Sequence, residues 1–182
     1  MSADDALLDA AAGLLAAQPA ASMDDVARAV GVSRATLFRR FPSRSVLVGT
    51  LCRQAVEAFV AATGEVAAGQ DDPVRVLRDL VARTVPIGAR YGLLVTQPLE
   101  DLVERDLLAR AAAGEDRVRA LVRRGQTAGA FRVDVDPEWV LTALTWLVVG
   151  AADGVRLGRL APARVEAHVA DTVLRLVVRD PG

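Results

Sequence analysis

The sequence predicts an all-α chain: an N-terminal three-helix unit containing a helix-turn-helix, joined by a long helix to a larger helical unit. Three observations carry this. Apolar residues recur three and four apart along nearly the whole length. The stretch Ser22 to Leu47, SMDDVARAVGVSRATLFRRFPSRSVL, reads as two short helices hinged at a glycine and followed by a third. Capping residues followed by proline, at Asp72-Pro73 and Asp136-Pro137, mark further helix starts.

Taken in order, Ala3 to Ala17 carries a stripe of Leu7, Leu8, Ala11, Leu14 and Leu15, and Gln18-Pro19 ends it. Ser22 caps the next helix, which starts at Met23, with Asp25 placed to complete a capping box. Val26 and Val30 share one face, and Gly31 ends the helix because it alone takes the left-handed conformation without strain. Ser33 to Phe41 is helical again, with Leu37 and Phe41 inward, and Pro42 stops it. From Ser43 a long helix runs to about Ala68, with Val46, Leu47, Leu51, Ala55, Ala58, Phe59, Ala62 and Val66 on one side. Such a helix spans about 35 Å, enough to belong to both units.

The helix opened by Asp72-Pro73 faces Val74, Leu77, Val81 and Val85 inward, and Pro86, Gly88 and Gly92 break the run near Tyr91. Further helices are expected over Pro98 to Ala112 and Glu115 to Thr127. GAFRVDVD, Gly129 to Asp136, alternates like a strand but lacks a partner, so an extended connection is expected. The helix from Pro137 to about Leu157 is apolar nearly all round, and the last, from Pro162, carries Val165, Val169, Thr172, Val173, Leu176 and Val177. Two such helices need more cover than a small monomer supplies, so they are expected to pair with their copies through Leu141, Leu144, Val148, Val155, Val169, Val173 and Leu176. The competing arrangement makes the apolar helix the centre of the monomer's own core.

Composition bounds the function. With 182 residues, 52% of them hydrophobic, the chain can bury a substantial core. A single cysteine, Cys52, excludes an intramolecular disulfide and suits a reducing, cytoplasmic location; it reads as inert packing. Met1 to Asp9 lacks the basic start of a signal peptide. Trp139 to Ala152, as long an uncharged run as the chain contains, has 14 residues, short of the ~20 of a membrane span, so no membrane partner is expected. Without a glycine-rich phosphate loop, nucleophile elbow or metal-ligand spacing, and with His168 the one histidine, the chain reads as no enzyme and is expected to hold no cofactor or metal.

Charge is segregated. All 22 basic residues are arginine, and from Val26 to Val56 there are six arginines and no acidic residue, on a chain of net charge -1. That distribution points to a polyanion. Arg34, Arg39 and Arg40 can reach bases or backbone of a duplex, and Ser33, Thr36 and Arg44 are placed for phosphates.

The motif DVARAVGVSRATLFRRFPSRSVL, with its small residue, turn glycine, Thr-Leu-aromatic and Phe-Pro-Ser-basic in register, resembles the TetR (tetracycline repressor-like) family of bacterial transcriptional regulators. The resemblance covers roughly the first quarter of the chain and implies a helix-turn-helix DNA-binding domain over 1–47 and a helical ligand-binding and dimerisation domain over 48–182. It further implies a homodimer through the last two helices, an inverted-repeat operator of double-stranded DNA and release by a small-molecule effector. Relatives usually carry tyrosine where Phe38 stands, and basic residues where Asp4 and Asp5 stand. Phe38 could touch a thymine methyl or pack against sugar. The effector site it implies would draw on Phe59, Thr84, Tyr91, Gln97 and Trp146. The alternative is the same fold acting as a ligand- or protein-binding module with weak operator affinity.

Overall fold

Ser22, Ser33, Asp72 and Asp136 each turn an extended stretch into a helix by accepting a backbone N–H of the first turn: Asp25 N (3.2 Å), Thr36 N (3.1 Å), Val74 N (3.1 Å) and Glu138 N (2.8 Å). Each cap is worth about 1 kcal/mol. The structure, a computed structural model, describes residues 3–64, 66, 72–92, 94 and 97–178. They form α1 Ala3–Ala17, α2 Met23–Ala29, α3 Arg34–Arg40, α4 Arg44–Gly64, α5 Pro73–Tyr91, α6 Leu99–Leu102, α7 Arg105–Thr127, α8 Pro137–Arg156 and α9 Pro162–Val177. The chain is all-α: among the described residues the only extended pairing is a bridge between Phe131 and Val178.

Gly31, at φ +72°, makes the turn between α2 and α3. A core built on Leu7, Leu8, Ala11, Val26, Leu37 and Leu47 holds α1 to α3 against the first turns of α4. That core continues along α4 through Leu51, Cys52 and Val56 and takes in Tyr91, Val103 and Leu107 from beyond it. A second core joins α5, α7, α8 and α9 around Leu77, Val81, Leu121, Phe131, Val140 and Val173. The long helix is therefore a shared strut, 21 residues or about 32 Å long.

Several expectations are corrected. α4 is described only to Gly64, not to Ala68; positions 65, 67 and 68 lie outside the described residues. Its inner face is Leu47, Val48, Leu51, Cys52, Val56 and Val60, whereas Val46 points to solvent. α5 does not break at Pro86 but runs through it to Tyr91. A proline inside a helix costs about 3 kcal/mol, and burial of Leu80, Val81, Thr84, Gly88 and Tyr91 on the same helix outweighs it. The two helices expected over 98–127 are instead one short turn, α6, and one unbroken α7. Gly114 stays helical because Thr63 of α4 lies against it; a Cβ there would sit 3.2 Å from Thr63 Cβ. Gly129 to Asp136 is not simply extended: it runs through turns and bends, and Phe131 finds a partner in Val178 at the end of α9. On α9, Thr172 faces solvent, and Ala170 and Leu174 are the buried additions to the stripe.

The residues expected between two copies lie within one protomer. Leu141, Leu144, Val148, Val169 and Val173 are buried in its own core, and Val155 and Leu176 pack against that core. α4 and α8 both have the length and mean hydropathy, 1.3, of a membrane span. Each places one apolar face in the protein's own core, as internal helices of a bundle do.

Candidate nucleic-acid interface and internal cavity

α3 is fixed from within by Leu37, fully buried, and Phe41, so that Arg34, Arg39 and Arg40 are turned outward. The Ser33 and Thr36 hydroxyls are hydrogen-bonded to each other at 2.8 Å at the helix start. Arg34 is not isolated: its Nη1 lies 2.8 Å from Asp24 of α2, and its guanidinium carbon stands 5.0 Å from the centre of the Phe38 ring. Phe38 itself is half-buried against the N-terminal core. Arg44 is exposed, but its Nη2 donates to the Pro19 carbonyl at 2.5 Å and its Nε to that of Ala21 at 3.5 Å. It thus ties the α1–α2 loop to α4, and any phosphate contact competes with those bonds. At the start of α2 the Ser22 hydroxyl and N–H and the Arg28 guanidinium hold the Asp25 carboxyl below its ordinary 3.8.

A cavity of about 330 Å³ lies between α4, α5, α7 and α8. Phe59, Thr84 and Tyr91 line it, as the effector-site expectation has them. Gln97 and Trp146 do not: Gln97 is exposed in the connection before α6, and Trp146 is 55% exposed on the outside of α8. Sequence reading missed Leu80, Ile87, Leu108, Leu144 and Val148, and Glu115, the one carboxylate among the described residues of the wall. Leu144 and Val148 carried a readable signal, since they sit opposite Trp139 and Trp146 on the same helix. Burial pushes the Tyr91 phenol above its ordinary 10, and its hydroxyl donates to Gln54 Oε1 of α4 at 3.2 Å. The thiol of Cys52, buried in the N-terminal core, is likewise pushed up from 9.0 by burial, which suits packing and not reactivity. His168 is exposed on α9. Among the described residues, no three His, Cys, Asp or Glu side chains gather as metal ligands.

The outer side of α8 is also apolar. Trp139 (58% exposed), Ala143, Trp146, Gly150 and Leu157 recur four, three, four and seven residues apart and form a stripe facing away from the core. Two exposed tryptophans on one helix face are unusual for a surface that meets only water.

Comparison with known proteins gives the geometry its context. The family model described as "Bacterial regulatory proteins, tetR family" matches residues 7–51, α1 through the start of α4. The chain is 31% identical over 135 residues to the HTH-type transcriptional repressor LfrR of Mycolicibacterium smegmatis, covering 74% of this chain and 69% of that protein. It is 28% identical over 176 residues to the HTH-type transcriptional regulator NfxB of Pseudomonas aeruginosa, covering 92% and 90%. The fold superposes on the crystal structure of the TetR-like regulator LfrR from Mycobacterium smegmatis in complex with proflavine, with a TM-score of 0.72 at 21% identity over 98% of this chain and 97% of that one. With a helix-turn-helix that presents arginines on its second helix and a repressor matched over two thirds of its length, this chain belongs to the TetR family of bacterial regulatory proteins and is a DNA-binding transcriptional regulator.

Proposed function

We propose that the protein is a dimeric repressor of an inverted-repeat operator, released when a small molecule fills the cavity between α4, α5, α7 and α8. The observation that carries this reading is the position of the cavity on α4. Val56 and Phe59 of α4 form part of its wall, and the same helix begins four residues after α3 ends at Arg40. An occupant that pushes on Phe59 moves the rigid rod to which the arginine-bearing helix is attached. It releases DNA only to the extent that it prefers the displaced form.

On this reading residues 1–47 bind DNA and 48–182 hold the effector and the partner subunit. Arg34, Arg39 and Arg40 contact bases or backbone, Ser33 and Thr36 contact phosphate at the start of α3, Phe38 packs against sugar or a thymine methyl, and Arg44 braces the domain from behind. The second copy covers the Trp139 and Trp146 stripe of α8 together with the outer side of α9. A two-fold axis there presents two α3 helices to one face of the duplex.

The test is selection of bound duplexes from a random pool with the full chain at several salt concentrations, combined with sedimentation. An inverted repeat bound by a dimer with a steep salt dependence is expected. A monomer, or a pool that never enriches a symmetric sequence, overturns the reading.

A further inference from the structure

The chemistry of the cavity wall selects among small molecules. Of 22 arginines in the chain, none is among the described residues lining the cavity, and the one ionisable carboxylate there is Glu115. The polar remainder of the wall presents lone pairs. Thr84 Oγ1 donates to the Leu80 carbonyl at 2.9 Å and Thr145 Oγ1 to the Leu141 carbonyl at 3.0 Å, so each hydroxyl proton is spent on the helix and each oxygen keeps only its capacity to accept. An anionic ligand would find no cation and meet a carboxylate. A ligand that accepts hydrogen bonds would find no threonine proton to take.

Glu115 shares its ion-pair partner with two other carboxylates. Its partner is Arg119, whose Nη2 lies 3.1 Å from Glu115 Oε2. The same guanidinium places Nη1 3.0 Å from Asp116 and Nε 2.6 Å from Glu138. One guanidinium is thus shared among three carboxylates, of which Glu115 lines the cavity while Asp116 and Glu138 face solvent. Phe59 is at the same end: its Cε1 lies 3.3 Å from where a Cβ on Gly114 would stand. A carboxylate and an aromatic ring in one wall that also holds Leu144 and Val148 suit a positive charge carried on an apolar body.

We propose that the cavity takes a lipophilic organic cation, its charge beside Glu115 and its apolar part against Phe59 and the α8 wall; this rests on the reading of the cavity as the effector site. Two probes of matched shape and opposite charge test it: tetraphenylphosphonium and tetraphenylborate, titrated calorimetrically into the full chain and into Glu115→Gln. The phosphonium is expected to bind about tenfold tighter than the borate, and Glu115→Gln to weaken the phosphonium about tenfold without weakening the borate. Equal affinities, or a phosphonium affinity indifferent to Glu115→Gln, overturn the proposal. Neutral Nile red separates the two levels of inference. If it binds while the two ions are not ranked, the charge assignment is wrong and the effector cavity stands. If none of the three probes binds, both are wrong.

Discussion

Arg90 on α5 reaches across to Asp9 on α1 and closes an ion pair through its Nη2. The same guanidinium lies over the ring of Tyr91, 4.9 Å from its centre, and Tyr91 in turn lines the cavity and bonds Gln54 of α4. One short stretch of α5 therefore touches the cavity, the first helix of the DNA-binding part and the connecting strut. Both partners of the pair are 38% exposed, so water screens their attraction and its worth in stability is small.

For this pair, a double-mutant cycle of Asp9→Asn and Arg90→Ala followed by urea unfolding should give a coupling of about 0.2–1 kcal/mol. Its larger effect should be on communication. In Arg90→Ala the loss of operator affinity caused by a bound effector should shrink several-fold, while effector affinity in the absence of DNA is nearly unchanged. Unaltered release of DNA would show that the signal travels through α4 alone.

On the proposed reading, DNA has to take Arg34 from Asp24, which lies 2.8 Å from its Nη1. Asp24→Asn is expected to tighten operator binding several-fold at low salt, with the gain fading as salt rises. Replacing Arg39 and Arg40 together with alanine should abolish operator binding and leave the dimer intact. Gel-shift titration across a salt series measures both effects, and unchanged affinity of the double variant would remove α3 from the groove.

The two faces of α8 should respond differently to charge. Trp146→Asp alters a side chain 55% exposed in the protomer and should yield a folded monomer by sedimentation and circular dichroism. Leu144→Asp places a carboxylate in the core and should unfold the chain at a cost of several kcal/mol. A dimer of Trp146→Asp at micromolar concentration would refute the proposed interface.

Gly125→Ala tests the packing under the Gly129 to Asp136 connection. A Cβ at 125 would fall within 2.6 Å of Phe131 Cγ, and Phe131 is fully buried. The ring has nowhere to retreat, so a loss of about 1–3 kcal/mol in chemical denaturation is expected, although alanine is the better helix former.

Acidification should loosen the start of α2. The folded-state pKa of Asp25 is depressed, so its contribution is complete above its ordinary 3.8 and disappears as pH falls through the lower folded value. A carboxyl titration followed by NMR should find Asp25 below the other exposed aspartates, and Ser22→Ala should bring it back towards them.

Much of this architecture is written in local chemistry. Ser22 with Asp25, Gly31, Ser33, Asp72-Pro73 and Asp136-Pro137 each act within four residues of themselves, so helix starts and the hinge before α3 are readable without a fold. The outward arginines of α3 follow from the inward Leu37 and Phe41. Pro86 and Gly114 misled for the converse reason. Both are local breakers, and both remain helical because residues far away in sequence, Val148 against Gly88 near Pro86 and Thr63 against Gly114, pack onto them.

By itself the sequence determined most helix starts, the glycine-hinged α2–α3 unit and its basic outer face, because capping, periodicity and charge operate over one or two turns. Only the tertiary structure decided which apolar side of α8 lies inward, that Arg44 serves the protein's own carbonyls, that Asp24 holds Arg34 and that Glu115 stands in the cavity wall. Periodicity shows that a helix has an apolar face but not what covers it; that depends on which distant helix arrives, and here α5, α7 and α9 take one side of α8 and leave its tryptophans outside.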